Sequence, residues 1–230
     1  MPPQKTHVQE VIIEAWHLRV WRRYKESWFD KYVRFSIPLA FIIFLVAVFG
    51  IQPLVIDYTN GAATNPVGDI ILSNIPVFSV GDFFVYGMFL FVLVVGILSL
   101  MYPKRIIFTL HAMTLFVLVR SLFVSLTHIG PFTTQVASDF GPAITQMFFG
   151  ADHFFSGHAG APFLMALMYW ENKLLRYIFL AWSVFFSIIV LLGHLHYTID
   201  VLAAFFITYG IYHTALWLFP RERMLFLSDR

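Results

Sequence analysis

Cysteine is absent from the 230 residues, which excludes disulfides and thiolate chemistry and leaves the redox state of the compartment open. Charge is scarce. Asp, Glu, Lys and Arg make up 12% of the chain, against roughly 25% in soluble domains. The formal net charge of +2 is too small to imply a nucleic-acid partner. No internal repeat, low-complexity tract or linker marks a second domain. No cleavable signal peptide is visible, because the N-terminal segment is too polar for an apolar signal core, so the first span is expected to start insertion itself.

What fills the chain is apolar. Hydrophobic residues are 59% and aromatics 19%, and the mean hydropathy is +0.76. A hydrocarbon core of ~30 Å takes about 20 apolar residues to cross. Six stretches approach that length: Phe35 to Val55, Phe83 to Met101, Ile106 to Thr127, Phe154 to Trp170, Tyr177 to Leu195, and Thr198 to Phe219. The expected fold class is therefore all-α, an integral membrane six-transmembrane helix bundle. Ahead of it, Ile13, Trp16, Val20, Tyr24 and Trp28 recur at helical spacing beside Arg19, Arg22, Arg23 and Lys25, the pattern of an amphipathic helix lying in the headgroup plane. The organisation expected is a cytoplasmic interfacial segment over residues 1–34, a six-helix membrane domain over 35–219, and a cytoplasmic tail over 220–230.

Orientation follows from where Lys and Arg sit, since cytoplasmic connections are enriched in them. Lys5, Arg19, Arg22, Arg23, Lys25, Lys31 and Arg34 precede or open the first span. Lys104 and Arg105 lie in the second-to-third turn, Lys173 and Arg176 in the fourth-to-fifth, and Arg221, Arg223 and Arg230 in the tail. The opposite connections, Ile56 to Asp82 and His128 to His153, hold no Lys or Arg but carry Asp57, Asp69, Asp82, Asp139 and Asp152. Both termini are expected in the cytoplasm, with the histidine-rich ends near the other face.

The fifteenth basic residue, Arg120, falls inside the third span, where a guanidinium is costly enough to signal function. Its rigid fork of donors matches phosphate. The alternatives are a pairing with Asp139 or Asp152, or snorkelling to the interface. Five of the nine histidines (His128, His153, His158, His194 and His196) gather at the same expected end, whereas His111 and His213 read as core residues. His196 and Asp200 are four apart at the start of the last span, so a shared helix face would let the carboxylate fix one imidazole tautomer and leave the other nitrogen as nucleophile or base. Ser156-Gly157-His158 adds a second histidine, a hydroxyl, a glycine that permits close backbone approach, and first-turn amides that favour an anion. A Ser-Gly kink in an ordinary helix is the plainer reading of that triplet.

At these residues the sequence resembles a known family. Gly150-Ala151-Asp152-His153-Phe154-Phe155-Ser156-Gly157-His158 and Gly193-His194-Leu195-His196-Tyr197-Thr198-Ile199-Asp200-Val201 are similar to the third and fourth signature motifs of the sphingomyelin synthases, a branch of the type 2 phosphatidic acid phosphatase (PAP2) superfamily. Arg120 through Thr127, ending in Pro131, resembles the second motif less closely, and Pro76 to Asp82 the first more distantly. The resemblance implies a catalytic triad of His158, His196 and Asp200, with both chain ends cytoplasmic and the site near the non-cytoplasmic face. It also implies a phosphohistidine intermediate and no metal or other cofactor. Asp152, His153, Ser156, Gly157, His194 and Tyr197 join Arg120 as candidate phosphate- and substrate-binding residues, and His128 is a further auxiliary donor. The expected partners are membrane lipid substrates and the bilayer.

Phe155 stands where the wider superfamily has Pro, and Ile189-Val190 where it has Ser-Arg, so the phosphatase branch fits less well. Three functions stay open. The first is a phosphotransferase moving a phosphate-linked headgroup from a phospholipid to ceramide or diacylglycerol. The second is a lipid phosphatase with water as acceptor. The third and more remote is a His-ligated membrane metalloenzyme.

Overall fold

The computed structural model describes residues 16–135, 140–141 and 154–228. Helix α1 (Trp16–Phe29) leads into α2 (Lys31–Leu45), whose first turn is capped by Asp30: its Oδ1 accepts the Tyr32 and Val33 amides. A π-helical turn (Val46–Ile51) joins α2 to α3 (Gln52–Ala62) without a break. That turn ends two residues before Pro53, which lacks an N–H and crowds the carbonyl four residues back, inside the turn, so the widened turn accommodates the ring. The continuous helix Lys31–Ala62 is about 48 Å long at 1.5 Å per residue, well beyond the hydrocarbon thickness.

A connection containing one 3-10 turn (Leu72–Asn74) leads to α4 (Gly81–Met101), followed by α5 (Pro103–Leu126), α6 (Gly157–Met168), α7 (Lys173–Leu192), α8 (Thr198–Leu218) and α9 (Pro220–Ser228). Five helices among the described residues are long and apolar enough to cross a membrane: Lys31–Ala62, Gly81–Met101, Pro103–Leu126, Lys173–Leu192 and Thr198–Leu218. They match five of the six expected spans to within a few residues at most ends. The remaining one, expected over Phe154 to Trp170, is the 12-residue α6, which by length falls below a bilayer crossing. Ser156 starts α6 late, and the turn that leads to the Asn172 cap of α7 ends it early.

Helix α6 is the centre of the bundle. His158 to Pro162 and Leu164 to Met168 are all buried, packed on α7 and α8 with α5 behind. Gly160 shows how close the approach is: a Cβ there would lie 2.8 Å from Thr208 Oγ1 and 2.9 Å from the Phe116 ring. Around α6 the core is aromatic, with Phe84, Phe91, Phe108, Phe155, Phe179 and Phe186 almost completely enclosed. The opposite faces of α4, α7 and α8 expose Phe83, Leu90, Ile188, Phe206 and Trp217. Apolar residues inside and outside together fit an integral membrane protein, since water-exposed patches of this extent are rare on soluble monomers.

Two terminal segments depart from expectation. Val20, Arg23, Tyr24 and Ser27 of α1 turn toward the bundle while Trp28 is exposed, so the expected aromatic stripe is split. Arg23 Nη1 donates to Met101 O (3.2 Å) and its guanidinium lies over the Tyr102 ring, which docks α1 on the end of α4. Ile13 lies outside the described residues. The C-terminal segment forms α9, with Phe226 buried against Phe108 and Tyr169. The Tyr32 hydroxyl donates to Glu222 of α9, and the Arg221 guanidinium lies 3.5 Å over the Tyr32 ring, tying the two ends of the chain together. His111 packs its ring on Phe219, whereas His213, expected in the core, is exposed beside Tyr209.

Candidate active site

Two helix N-termini, those of α6 and α8, meet at one end of the bundle. The Ser156 amide donates to Asp200 O (3.2 Å), so the backbone itself joins the Ser-Gly-His and His-Tyr-Thr-Ile-Asp segments. Ser156 is the N-cap of α6: its Oγ accepts the Ala159 amide (3.4 Å), leaving the side chain fully buried. His158 follows in the first turn. Its ring stacks on Phe84 (centroids 3.8 Å) and meets Phe186 edge-on, and it is hydrogen-bonded to the Phe84 backbone. Both His196 and Arg120 lie within electrostatic reach of it.

The pairing of His196 with Asp200 is present, but it arises differently from the expected helix face. His196 lies before the helix, Tyr197 is the N-cap with extended backbone, and Asp200 is the third helical residue. Asp200 Oδ2 accepts the Tyr197 amide (2.9 Å), and the same oxygen lies 3.5 Å from His196 Nδ1. A capping contact therefore fixes the carboxylate, which in turn faces the ring. At 3.5 Å the pair is somewhat longer than a formed N–H···O bond. Both side chains are buried, and Asp200 Oδ1 has no hydrogen-bond partner among the described residues.

Arg120 reaches this point from α5. Its Nε donates to Phe155 O (3.0 Å), and its guanidinium lies so close to Gly157 that a Cβ there would be 3.2 Å from Nε. A cation is thus held against the first turn of α6, where the helix amides also favour an anion. Asp139, Asp152 and His153 lie outside the described residues.

His194 is placed by a Schellman ending of α7. The His194 and Leu195 amides donate back to Leu191 O and Val190 O, and His194 occupies the left-handed position with φ +52°. Glycine usually sits there. A Cβ in that region costs about 1 kcal/mol or more, strain of the kind that clusters at functional sites. The ring is buried, Nδ1 is 2.5 Å from Thr134 Oγ1, and Nε2 has no partner among the described residues. Tyr197 has a bracing position. Its hydroxyl donates to Gly130 O (2.8 Å) and accepts the Val67 amide (3.2 Å), tying the loops after α5 and α3 to the start of α8. His128 bonds back to Ser125 O and rests edge-on against Tyr58, serving the end of α5.

In the sequence Asp69 is only one acid in a connection without basic residues. The structure buries it and gives it four donors: the Thr198 amide (2.7 Å), the Thr198 hydroxyl (2.8 Å), and the Ile71 and Leu72 amides (2.9 and 3.1 Å). It closes the N-terminus of α8 from a segment some 130 residues away, directly beside His196 and Asp200. Burial raises the carboxyl's pKa, but these donors outweigh it and hold the group below the ordinary carboxylate value. No local sequence pattern marks such a partner. Among the described residues, no three His, Asp or Glu side chains are grouped as metal ligands would be.

These features define a class: a helical protein of membrane-spanning composition, with two histidines, a carboxylate and a guanidinium converging at one end of its bundle. Residues 150–217 match the family model described as PAP2 superfamily C-terminal, a segment that contains His158, His196 and Asp200. The match makes this C-terminal segment of the chain similar to the PAP2 superfamily. No curated protein and no solved structure matches the chain significantly.

Proposed function

We propose that the protein is an integral membrane lipid phosphotransferase that moves a phosphate-linked headgroup from a phospholipid to a lipid alcohol through a phosphohistidine. The observation that carries the reading is the Asp200 carboxylate facing His196 Nδ1 while its own backbone carbonyl holds Ser156, two residues before His158. With Nδ1 turned to Asp200, Nε2 of His196 is the nitrogen left to attack phosphorus. An N–P bond forms, the P–O bond to the departing diacylglycerol breaks, and protonated His158 gives its proton to that oxygen. An acceptor hydroxyl then loses its proton to His158 and attacks phosphorus, and the N–P bond breaks. Arg120 and the α6 amides bear the charge on the nonbridging oxygens in both steps.

The sequence supports transfer of a diester over hydrolysis of a monoester. Apart from Arg120, the six apolar stretches expected from the sequence and the connections Ile56 to Asp82 and His128 to His153 hold no Lys or Arg, and a site with one guanidinium suits a singly charged phosphate. The asymmetry of the basic residues supports cytoplasmic termini and a histidine end near the other face. The decisive experiment incubates purified protein with mixed phospholipids, with and without ceramide or diacylglycerol, and identifies products by mass. A new phospholipid that appears only with the acceptor, together with a phosphoryl adduct on His196, is expected. Free phosphate or free headgroup phosphate alone would turn the assignment to hydrolysis.

A further inference from the structure

In the proposed reaction His158 gives a proton to the departing oxygen, and what aims its ring comes from another helix. Phe84, near the start of α4, is 2% exposed and lies face to face with the imidazole, centroids 3.8 Å apart and planes 21° apart. Phe186 of α7 meets the same imidazole edge-on at 5.3 Å. A flat ring with one neighbour on its face and another nearly perpendicular is fixed in tilt and spin, because turning about either side-chain torsion drives it into one of them.

The backbone of Phe84 adds a polar constraint. Its amide is already given to Val80 O (2.9 Å), so in the bond between the Phe84 backbone and the His158 ring the imidazole N–H donates and the carbonyl accepts. A carbonyl only accepts, so the nitrogen facing it keeps its hydrogen in the neutral and the protonated ring alike. The proton given up and later recovered therefore passes through the other nitrogen.

Phe84 is itself placed from the histidine loop. Ahead of α4, the Phe78 amide donates to Leu192 O (2.8 Å), and Val80 lies so close to Gly193 that a Cβ there would be 2.5 Å from Val80 Cγ2. Gly193 caps α7 one residue before His194. On α4, Gly87 lets the two helices approach, since a Cβ there would lie 3.1 Å from the Phe186 ring. The start of α4 is thus latched to the stretch that leads into His196, and both imidazoles are set from one point.

We infer that Phe84 is the positioning residue of His158: its carbonyl fixes the tautomer and its ring fixes the plane, so the proton moves between substrate and one defined nitrogen. This rests on the proposed role of His158 as acid and base, and it gives Phe84 no contact with substrate.

Two measurements test it. Nuclear magnetic resonance of the unaltered full chain with isotope-labelled histidine should show one ring N–H that exchanges slowly with solvent and is absent from His158→Ala. A His158 ring with no slowly exchanging N–H would overturn the inference, whether or not any variant of Phe84 folds. In the kinetic arm, Phe84→Leu keeps most of the apolar volume and loses the flat face. Its kcat should fall about 10- to 100-fold with KM changed by no more than about 2-fold, as for a reacting group held slightly out of line. Phe91→Leu is the packing control, on the same helix, 1% exposed and edge-on to Phe179 and Trp182. It should lower the melting temperature comparably and leave kcat within about 2-fold. Turnover is followed as whichever product the unaltered protein makes, new phospholipid or free headgroup phosphate, so a change of acceptor does not bear on Phe84. Activity surviving His158→Ala would end the proposed acid and this inference with it. Activity lost in His158→Ala but kept in Phe84→Leu, or lost equally in Phe91→Leu, would overturn the inference alone.

Discussion

The two ends of the helix bundle solve opposite problems with different chemistry. At the basic end, arginines rest on aromatic faces and close helix C-termini: Arg23 on Met101 O, Arg223 on Met168 O, and Arg105 among Tyr102, Tyr169 and Phe226. At the histidine end, carboxylates and loops close helix N-termini: Asp69 on Thr198 and Asp200 on Tyr197, with Tyr197 clamping Val67 and Gly130. The difference teaches that each end uses the caps its helix termini favour: cations on the C-termini of α4 and α6, carboxylates on the N-terminus of α8. In the proposed mechanism only the histidine end turns its caps to reactivity. There the cap Asp200 also faces an imidazole, and the Arg120 guanidinium sits on the first turn of α6.

The sharpest way to break the comparison is to separate capping from charge at Asp200. In Asp200→Asn the amide oxygen can still accept the Tyr197 N–H, so the start of α8 survives, while the charge facing His196 is lost. Phosphoryl transfer is expected to fall by about 10³- to 10⁴-fold, as when the orienting carboxylate of a hydrolase triad is neutralised. Thermal unfolding should shift by no more than ~1 kcal/mol. His158→Ala and His196→Ala should remove transfer as completely. Transfer surviving His196→Ala would end the phosphohistidine mechanism.

Arg120→Lys is expected to follow, with a loss of about 10- to 100-fold in kcat/KM, because a point charge cannot both donate to Phe155 O and present a fork to phosphate. Kinetics like those of the unaltered protein would make Arg120 a brace for the turn ahead of Ser156.

Much of this was legible in the sequence, and the misses share a cause. Five spans follow from hydropathy, because lipid leaves so little choice of backbone structure. The convergence of the two motifs follows from their positions at successive span ends. The pairing of His196 with Asp200 was legible as a spacing of four, yet the spacing works through an N-cap turn that no helical wheel displays. Helix α6 was expected to be longer, because burial on every side makes it apolar all round and blurs its ends. Asp69 could not be found at all, since its partner Thr198 is distant in sequence and only the folded loops bring the two together.

Asp69 gives the third expected effect. Asparagine there can satisfy only part of a set of four donors, so Asp69→Asn should cost about 2–4 kcal/mol of stability. Transfer should fall more modestly, through kcat, as the start of α8 loosens around His196. The pH dependence has a definite sign. A carboxyl whose folded pKa is depressed contributes stability that is present above its unfolded pKa and is lost as pH falls through the folded one. The unaltered protein should therefore lose thermal stability progressively below about pH 4, and Asp69→Asn should lose less over the same range. Parallel acid profiles for the two would remove Asp69 from the account of this end.

The smallest expected change in stability, and the finest test of the contrast, comes from His194. Replacing it with glycine relieves the left-handed backbone by about 1 kcal/mol but removes the Thr134 contact and the edge-on packing of Phe132. These oppose each other, so His194→Gly should melt within ~1 kcal/mol of the unaltered protein. If the ring is there only to brace the loop, transfer will change as little as stability. If its Nε2 supplies a proton-bearing contact to phosphate, kcat/KM will drop at least about 10-fold while the melting curve stays in place. A strained histidine where glycine would be easier argues for the second outcome, because relieving the strain is a single substitution away and its cost is otherwise unexplained.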